Sequence, residues 1–246
     1  MKEQIFEYPL NTKVRGYLRL EHINTQLEHA IKHDFGIGLF QPLFGLYELC
    51  ERVDYKNDLL KDLDKYMQLA TKWQDLPDID QEKIEALKEN MAQYRSQLIQ
   101  PLGAADIFQR DRFLNSIRQR LTVTGASCNF DLPQLHYWLA TSPEQRIEQA
   151  DTWHNHFKPL VRSVDCILEL IRESEPYSEN TAKDGFFQHI NHSPIAMIRV
   201  KIDPNSRCYP TISGHKNRFA IHMVHFDNQQ HYVNDTKFSL ACCSEP

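Results

Sequence analysis

The sequence predicts an α+β fold, an N-terminal all-helical domain followed by a smaller antiparallel β domain. Two observations predict it. From the N-terminus to about residue 173, one segment after another carries apolar residues at helical spacing. Beyond Glu173–Asp184, a polar stretch without periodicity, the pattern turns to alternation. Helices come first and strands last, so the two classes are segregated rather than interleaved. The expected division is 1–178 for the helical domain and 179–246 for the β domain, with segment 122–140 a candidate to pair with the sheet.

Each element has its own signal. Asn11 is placed to cap a first helix whose Val14, Tyr17, Leu20, Leu27 and Ile31 share a face. After a loop with Gly36 and Gly38, Pro42 opens a second helix carrying Leu43, Leu46, Tyr47 and Cys50. A third carries Leu60, Leu63, Met67 and Ala70 and ends before Pro77. Asp80 caps a fourth, where Ile84, Leu87, Met91, Tyr94 and Leu98 fall at steps of 3, 4, 3 and 4. So regular a stripe implies packing on another helix, within the chain or across a dimer. A fifth helix is expected from about Ala105 to Leu121, and Cys128–Leu135 is extended in character, interrupted by Pro133. Ser142-Pro143-Glu144-Gln145 has the cap, the proline and the returning glutamine of a capping box. After Pro159, Leu160, Val164, Ile167 and Ile171 share one side of a last helix.

Glu173–Asp184 is expected to be a linker or long loop. Ile195 and Met197 then lead to a turn at Asp203-Pro204-Asn205-Ser206. Alternation in Arg218–Phe226 puts Phe219, Ile221 and Met223 on one face and Arg218, Ala220, His222 and Val224 on the other. Asp227–Gln230 fits a hairpin loop, and Tyr232-Val233 and Phe238-Ser239-Leu240 complete the strand-rich end.

Composition excludes several classes. A net charge of −5 is not that of a bulk nucleic-acid binder. Met1–Glu7 lacks the apolar run of a signal peptide, and no stretch approaches the roughly 18 apolar residues of a membrane span, so a soluble cytoplasmic protein is expected. Six scattered cysteines without C-x-x-C spacing are expected as thiols, with Cys50 and Cys166 as small core residues. None of the phosphate-loop, dinucleotide, zinc-protease or nucleophile-elbow motifs occurs, and Gly36-Ile37-Gly38 is too sparse to cradle a phosphate. The close histidine pairs are His154 with His156, His189 with His192, and His222 with His225. Two steps along a helix, or three along a strand, turn such side chains apart, so surface histidines rather than metal ligands are expected. Acid pairs such as Asp62 with Asp64 or Asp78 with Asp80 are expected on solvated faces or caps. No enzyme site, metal or cofactor is expected.

The basic residues are more informative. Arg15, Arg19 and His22 form a stripe on the first helix, Arg110, Arg112, Arg118 and Arg120 crowd the fifth, and His215-Lys216-Asn217-Arg218 follows Ser213-Gly214. Singly, such residues are solvated or pair with the acids between 48 and 89. Grouped beside aromatics such as Tyr17 or Phe219, their guanidinium forks suit an acidic peptide with apolar anchors. The alternative is nucleic-acid binding through the arginine-rich fifth helix. A third class, a metal-dependent hydrolase, would need a stoichiometric metal.

Several blocks resemble the ZapD family of bacterial cell division proteins, FtsZ-associated factors. They are Phe6-Glu7-Tyr8-Pro9-Leu10-Asn11 leading into Arg15, Leu18 and Arg19; Leu59-Leu60-Lys61-Asp62-Leu63-Asp64; Arg118-Gln119-Arg120-Leu121; Cys128-Asn129-Phe130-Asp131-Leu132-Pro133; Ser213-Gly214-His215-Lys216-Asn217-Arg218-Phe219-Ala220-Ile221; and Leu240-Ala241-Cys242-Cys243. The resemblance implies a non-enzymatic homodimer that binds the C-terminal tail of the tubulin-like GTPase FtsZ in a basic pocket and cross-links filaments at the mid-cell septum. It implies pocket residues Arg15, Arg19, Arg112, His136 and Arg218, together with Arg52 and Lys216. Relatives carry a second arginine four residues after the one matching Arg218, and here that position is His222. An imidazole changes charge around neutral pH where a guanidinium does not, which implies a weaker or pH-sensitive pocket.

Overall fold

The structure is a computed structural model, describing residues 4–74, 80–100, 108, 110–215, 217–228 and 230–245. The chain is α+β, with eight α-helices and seven strands among the described residues. It divides into two compact units, Arg19–Cys166 and Met1–Leu18 with Ile167–Pro246. Helices α1 (Thr12–Lys32) and α8 (Lys158–Glu173) contribute residues to both.

In the helical unit, α2 (Phe40–Arg52) starts two residues before Pro42 because it continues a 3-10 turn, Gly36–Leu39. The proline then sits in the first helical turn, where its missing N–H has no helical acceptor to lose. Asp54 caps α3 (Tyr55–Trp73), which buries Tyr55, Leu59, Leu63, Tyr66 and Ala70, with Leu60 and Met67 half-buried beside them. Asp80 caps α4 (Gln81–Ile99) through the Lys83 amide at 3.2 Å, as expected. The regular stripe of α4 packs on α3, with Met91 and Leu98 fully buried and Arg95 Nε donating to Asp64 at 2.6 Å.

The expected fifth helix is broken at Asp111, with Phe108 and Arg110 helical before it. Asp111 has an extended backbone and caps α5 (Arg112–Leu121) by accepting from the Phe113 and Leu114 amides at 2.8 and 3.1 Å. Residues 101–107 lie outside the described residues, as do Pro77 and Asp78. Segment 122–140 does not join a sheet. Residues 122–132 form turns, and Pro133 opens a short helix, α6 (Pro133–Leu139), rather than interrupting a strand. A proline with fixed φ and no N–H suits a first helical turn, and Leu135 and Trp138 draw the segment into the helical core. The capping box of α7 (Pro143–Asn155) forms as expected.

Aromatic rings hold this unit together. Fully buried Phe40 has ring centroids at 5.2 Å to Trp138 and 6.0 Å to each of Phe44, Phe113 and Trp153. Cys50 is half-buried at the edge of this core, and burial pushes its thiol up to about 12. All six cysteines are free thiols.

One histidine departs from expectation. His154 is buried, not on the surface; its Nε2 meets Asn24 Oδ1 at 2.7 Å, and Asn24 Nδ2 donates to Glu28 at 3.0 Å. The Asn24 amide satisfies an imidazole that the sequence pattern leaves looking solvent-facing. Burial lowers the His154 pKa, with Lys158 acting the same way and Glu28 and Asp151 opposing. A depressed folded-state value means that the unfolded chain binds the proton first. Stability is therefore full above the ordinary value near 6.5 and falls as pH drops through the lowered one. Denaturant titrations between pH 8 and 5 should show this loss, at most about 1.4 kcal/mol per pH unit from this group, and His154→Gln should flatten it.

The second unit holds seven strands: β1 (Gln4–Pro9), β2 (Ser178–Ala182), β3 (Phe186–Ile190), β4 (Met197–Ile202), β5 (Cys208–His215), β6 (Arg218–His225) and β7 (Thr236–Cys243). They form two antiparallel sheets, ordered β1-β4-β7-β2 and β3-β6-β5. One core joins them: Ile198, Val200, Phe238 and Leu240 from the first sheet meet Phe219, Ile221 and Met223 from the second. The expected boundary at 178/179 is not where the chain divides, because β1 pairs along its whole length with β4 and brings the N-terminus into the sheet unit. The polar stretch expected as a linker contains β2, an edge strand that needs only Ala182 fully inward. Tyr232-Val233 is not a strand, since only an isolated bridge joins His231 to Val224.

Glu7 fastens β1. Its Oε1 accepts from Arg172 Nε at 2.9 Å and Arg199 Nε at 3.0 Å, and its Oε2 from Arg172 Nη2 at 2.7 Å. All three side chains are mostly buried, so removing the carboxylate leaves two guanidinium groups without it. Glu7→Ala should cost about 2–3 kcal/mol in denaturant unfolding. A loss under about 0.5 kcal/mol would mean the clamp is ornamental.

Candidate functional site

The basic candidates are described unit by unit. In the sheet unit, β6 is the central strand of β3-β6-β5 and presents alternate residues outward. The register aligns Ile190, Arg218 and His215 in one row, Gln188, Ala220 and Ser213 in the next, and Phe186, His222 and Thr211 in a third. The opposite face, with Phe219, Ile221 and Met223, is core. Burying that face fixes the register, and with it the direction of Arg218 and His222.

Arg218 is exposed. With the Gln188 amide oxygen turned toward it, the guanidinium donates from Nε at 3.2 Å and Nη2 at 2.9 Å. A neutral amide orients the fork without neutralising it. His222, half-buried, has its ring 4.8 Å from Phe186 and 5.3 Å from His231. Arg15, on the first turn of α1, lies over the Tyr8 ring at 5.7 Å and donates to the Pro9 carbonyl at 3.4 Å. Lys216 lies outside the described residues.

In the helical unit, Arg19 is exposed one turn beyond Arg15 on α1, and its charge is near enough to act on the Tyr55 hydroxyl. Burial, first, and Cys50 raise the Tyr55 pKa, and Arg19 opposes them. Arg52 ends α2 and pairs with Glu48 one turn back at 3.5 Å, a solvent-exposed contact of small energy. Arg112 occupies the first turn of α5, the positive end of the helix dipole, where a cation is electrostatically unfavourable. Two neighbouring residues anchor it and His136: Phe113 and Trp138, whose rings are 6.1 Å apart. The exposed Arg112 and His136 are thus carried by helices that meet in one aromatic cluster.

The arginines divide by whether a carboxylate pairs with them. Arg95, Arg120, Arg146, Arg172 and Arg199 each pair with a carboxylate. Among the described residues, Arg15, Arg19, Arg112 and Arg218 form no such pair, and neither do Arg118 and Arg162, although the chain carries 33 acids. The expectation that basic residues answer the acids between 48 and 89 holds for Arg95 with Asp64 and Arg52 with Glu48, not for these six.

Two sequence expectations need correction. Tyr17 and Phe219 are buried in core and cannot line a binding surface. The exposed apolar side chains near Arg218 are instead Ile190 and Phe186 on β3, and the alternation of Phe186, Gln188 and Ile190 was the available signal. The arginine-rich fifth helix, offered for the nucleic-acid alternative, is not wholly free either. Arg118 lies over the Tyr47 ring at 5.2 Å, Arg120 pairs with Asp131 at 3.3 Å, and Arg110 is engaged as well.

The sequence model of ZapD, described as a cell division protein, matches residues 18–222. The chain belongs to the ZapD family. Similar proteins include cell division protein ZapD of Shewanella sp. (strain MR-7), 44% identical over 99% of this chain and 100% of that protein. The ZapD of Pectobacterium atrosepticum is 37% identical over 97% of each chain, and that of Escherichia coli O1:K1 is 36% identical over 97% of this chain and 98% of its own. A ZapD assignment places the chain in cell division, and the name describes no enzyme. Arg19, Arg52, Arg112, His136, Lys216, Arg218 and His222 all fall within the span matched by the ZapD model, and Arg15 lies just before it. No helix among the described residues is long and apolar enough to cross a membrane.

Proposed function

We propose that this chain is a non-enzymatic adaptor that binds the C-terminal tail of FtsZ and cross-links FtsZ filaments at the division septum. Its working form is a cytoplasmic homodimer, one tail per protomer. The observation that carries this reading is the set of exposed arginines left without carboxylates in a net acidic chain. Arg15, Arg19, Arg112 and Arg218 supply permanent charge and planar donor forks, and His136, His222, Arg52 and Lys216 add further donors. Such groups favour an acidic peptide, whose carboxylates restore the missing pairs through charge-assisted hydrogen bonds.

A single tail held this way binds at about micromolar strength. Filaments present many tails, so two sites per dimer raise the effective affinity without new contacts. Filament pelleting tests the proposal. Intact FtsZ polymerised with GTP should pellet as bundles when the chain is added, and FtsZ lacking its C-terminal tail should not. Equal pelleting of tailless filaments would remove the tail from the account.

His222 offers a gain-of-affinity test. His222→Arg places a permanent charge two pleat repeats along from Arg218, on the same outward face. Tail binding at pH 7.5 should tighten by roughly three- to tenfold. Unchanged or weaker binding would take His222 out of the contact set.

A further inference from the structure

The outer face of β3-β6-β5 holds more than charge. Ile190 is 62% exposed and Phe186 is 41% exposed, both on the edge strand β3. Arg218 is the cross-strand neighbour of Ile190, and His222 that of Phe186. The three rows of this face contain no carboxylate. Its cationic end and its apolar positions therefore complement one kind of occupant, an acidic segment with apolar side chains.

We propose that this face is a two-anchor ruler: it selects an extended acidic segment carrying two apolar side chains four residues apart, one seated on Ile190 beside the carboxylate held by Arg218, the other on Phe186. The spacing follows from the strand. Ile190 and Phe186 are four residues apart on β3, about 13 Å at the rise of a β-strand. An extended ligand covers the same distance in four residues, and an even step keeps both side chains on the side facing the sheet. Arg218, one strand across, lies about 5 Å from the Ile190 anchor, within reach of a carboxylate flanking that side chain. Gln188, between the anchors, holds the guanidinium fork in place. Charge draws in acidic segments generally, and the anchor spacing selects among them.

The inference rests on the proposed adaptor role, and the experiment separates the two. Labelled peptides are titrated into the intact chain: the FtsZ tail, and two acidic serine-based peptides with leucines placed four or five residues apart. The four-spaced peptide should bind at least tenfold more tightly than the five-spaced one. Ile190→Ser and Phe186→Ser should each weaken the four-spaced peptide and the tail about tenfold, the cost of losing one buried apolar contact. Phe226→Ser, on a 74% exposed residue outside the three rows, serves as the control and should change nothing. Circular dichroism checks that each variant is folded. If the tail binds and Arg218→Glu abolishes it while the spacing and both serine variants have no effect, the ruler is wrong and the adaptor role stands. If the spaced peptides discriminate and the tail does not bind, the ruler stands and FtsZ is the wrong partner. If the serine variants convert a dimer to monomer in sedimentation with peptide binding intact, the face is covered by a second copy of this chain and the proposal falls.

Discussion

Arg218→Glu is expected to abolish the bundling of FtsZ filaments and to weaken binding of the isolated tail about a hundredfold. Charge-assisted hydrogen bonds contribute about 1.5–3 kcal/mol each, and a carboxylate in that place adds repulsion. A factor of a hundred corresponds to about 2.7 kcal/mol, within that range. The fold should survive, because Arg218 is exposed and its backbone pairing with β3 and β5 does not depend on the side chain. Arg218→Lys keeps the charge but loses the fork, so an intermediate loss of about tenfold is expected. Pelleting with intact FtsZ reads the first effect and peptide titration the second. A glutamate variant that bundles normally at moderate salt would exclude Arg218 from the tail contact.

The largest stability effect is expected at a residue that touches no partner. Phe40→Ala removes the ring that four other aromatic side chains surround, and its neighbours belong to four helices. Truncating a buried phenylalanine costs about 3–5 kcal/mol, the lost transfer energy plus the cavity left behind. For a chain of this size that lowers Tm by roughly 10 °C. The consequence reaches function, since Phe113 and Trp138 of the same cluster anchor the helices carrying Arg112 and His136. Phe130→Ala makes the contrast: at 81% exposed, it should cost under about 0.5 kcal/mol. Comparable losses for the two variants would contradict the assignment of the aromatic core.

Local signals were legible in the sequence wherever one element supplies its own explanation. The Asn11, Asp80 and Ser142 caps, the α4 stripe and the two faces of β6 all follow from spacing within a few residues. What escaped depends on pairing across long distances. Strand β1 looks unremarkable until β4, nearly two hundred residues later, gives it a partner. Strand β2 is polar because an edge strand exposes most of its residues, so its composition reads as a loop. Pro133 in sequence looks like an interruption of an extended segment, yet the same fixed φ starts a helix once Trp138 has a core to enter.

The candidate site divides along the same line. The outward direction of Arg218 and His222 was readable from alternation, and the shared face of Arg15 and Arg19 from helical spacing. Which arginines lack carboxylate partners could not be read, because Arg95 and Arg112 look alike in sequence; only the fold brings Asp64 to the first. Phe219, offered as a surface anchor, turned out to be core, and the exposed apolar positions moved to Ile190 and Phe186.

The most direct test is a titration of the FtsZ tail peptide into the intact wild-type chain, followed by fluorescence anisotropy at several salt concentrations. Basic side chains receiving carboxylates predict a micromolar Kd that weakens steadily as salt rises and is nearly lost in Arg19→Glu. An affinity indifferent to both salt and that substitution would contradict the account.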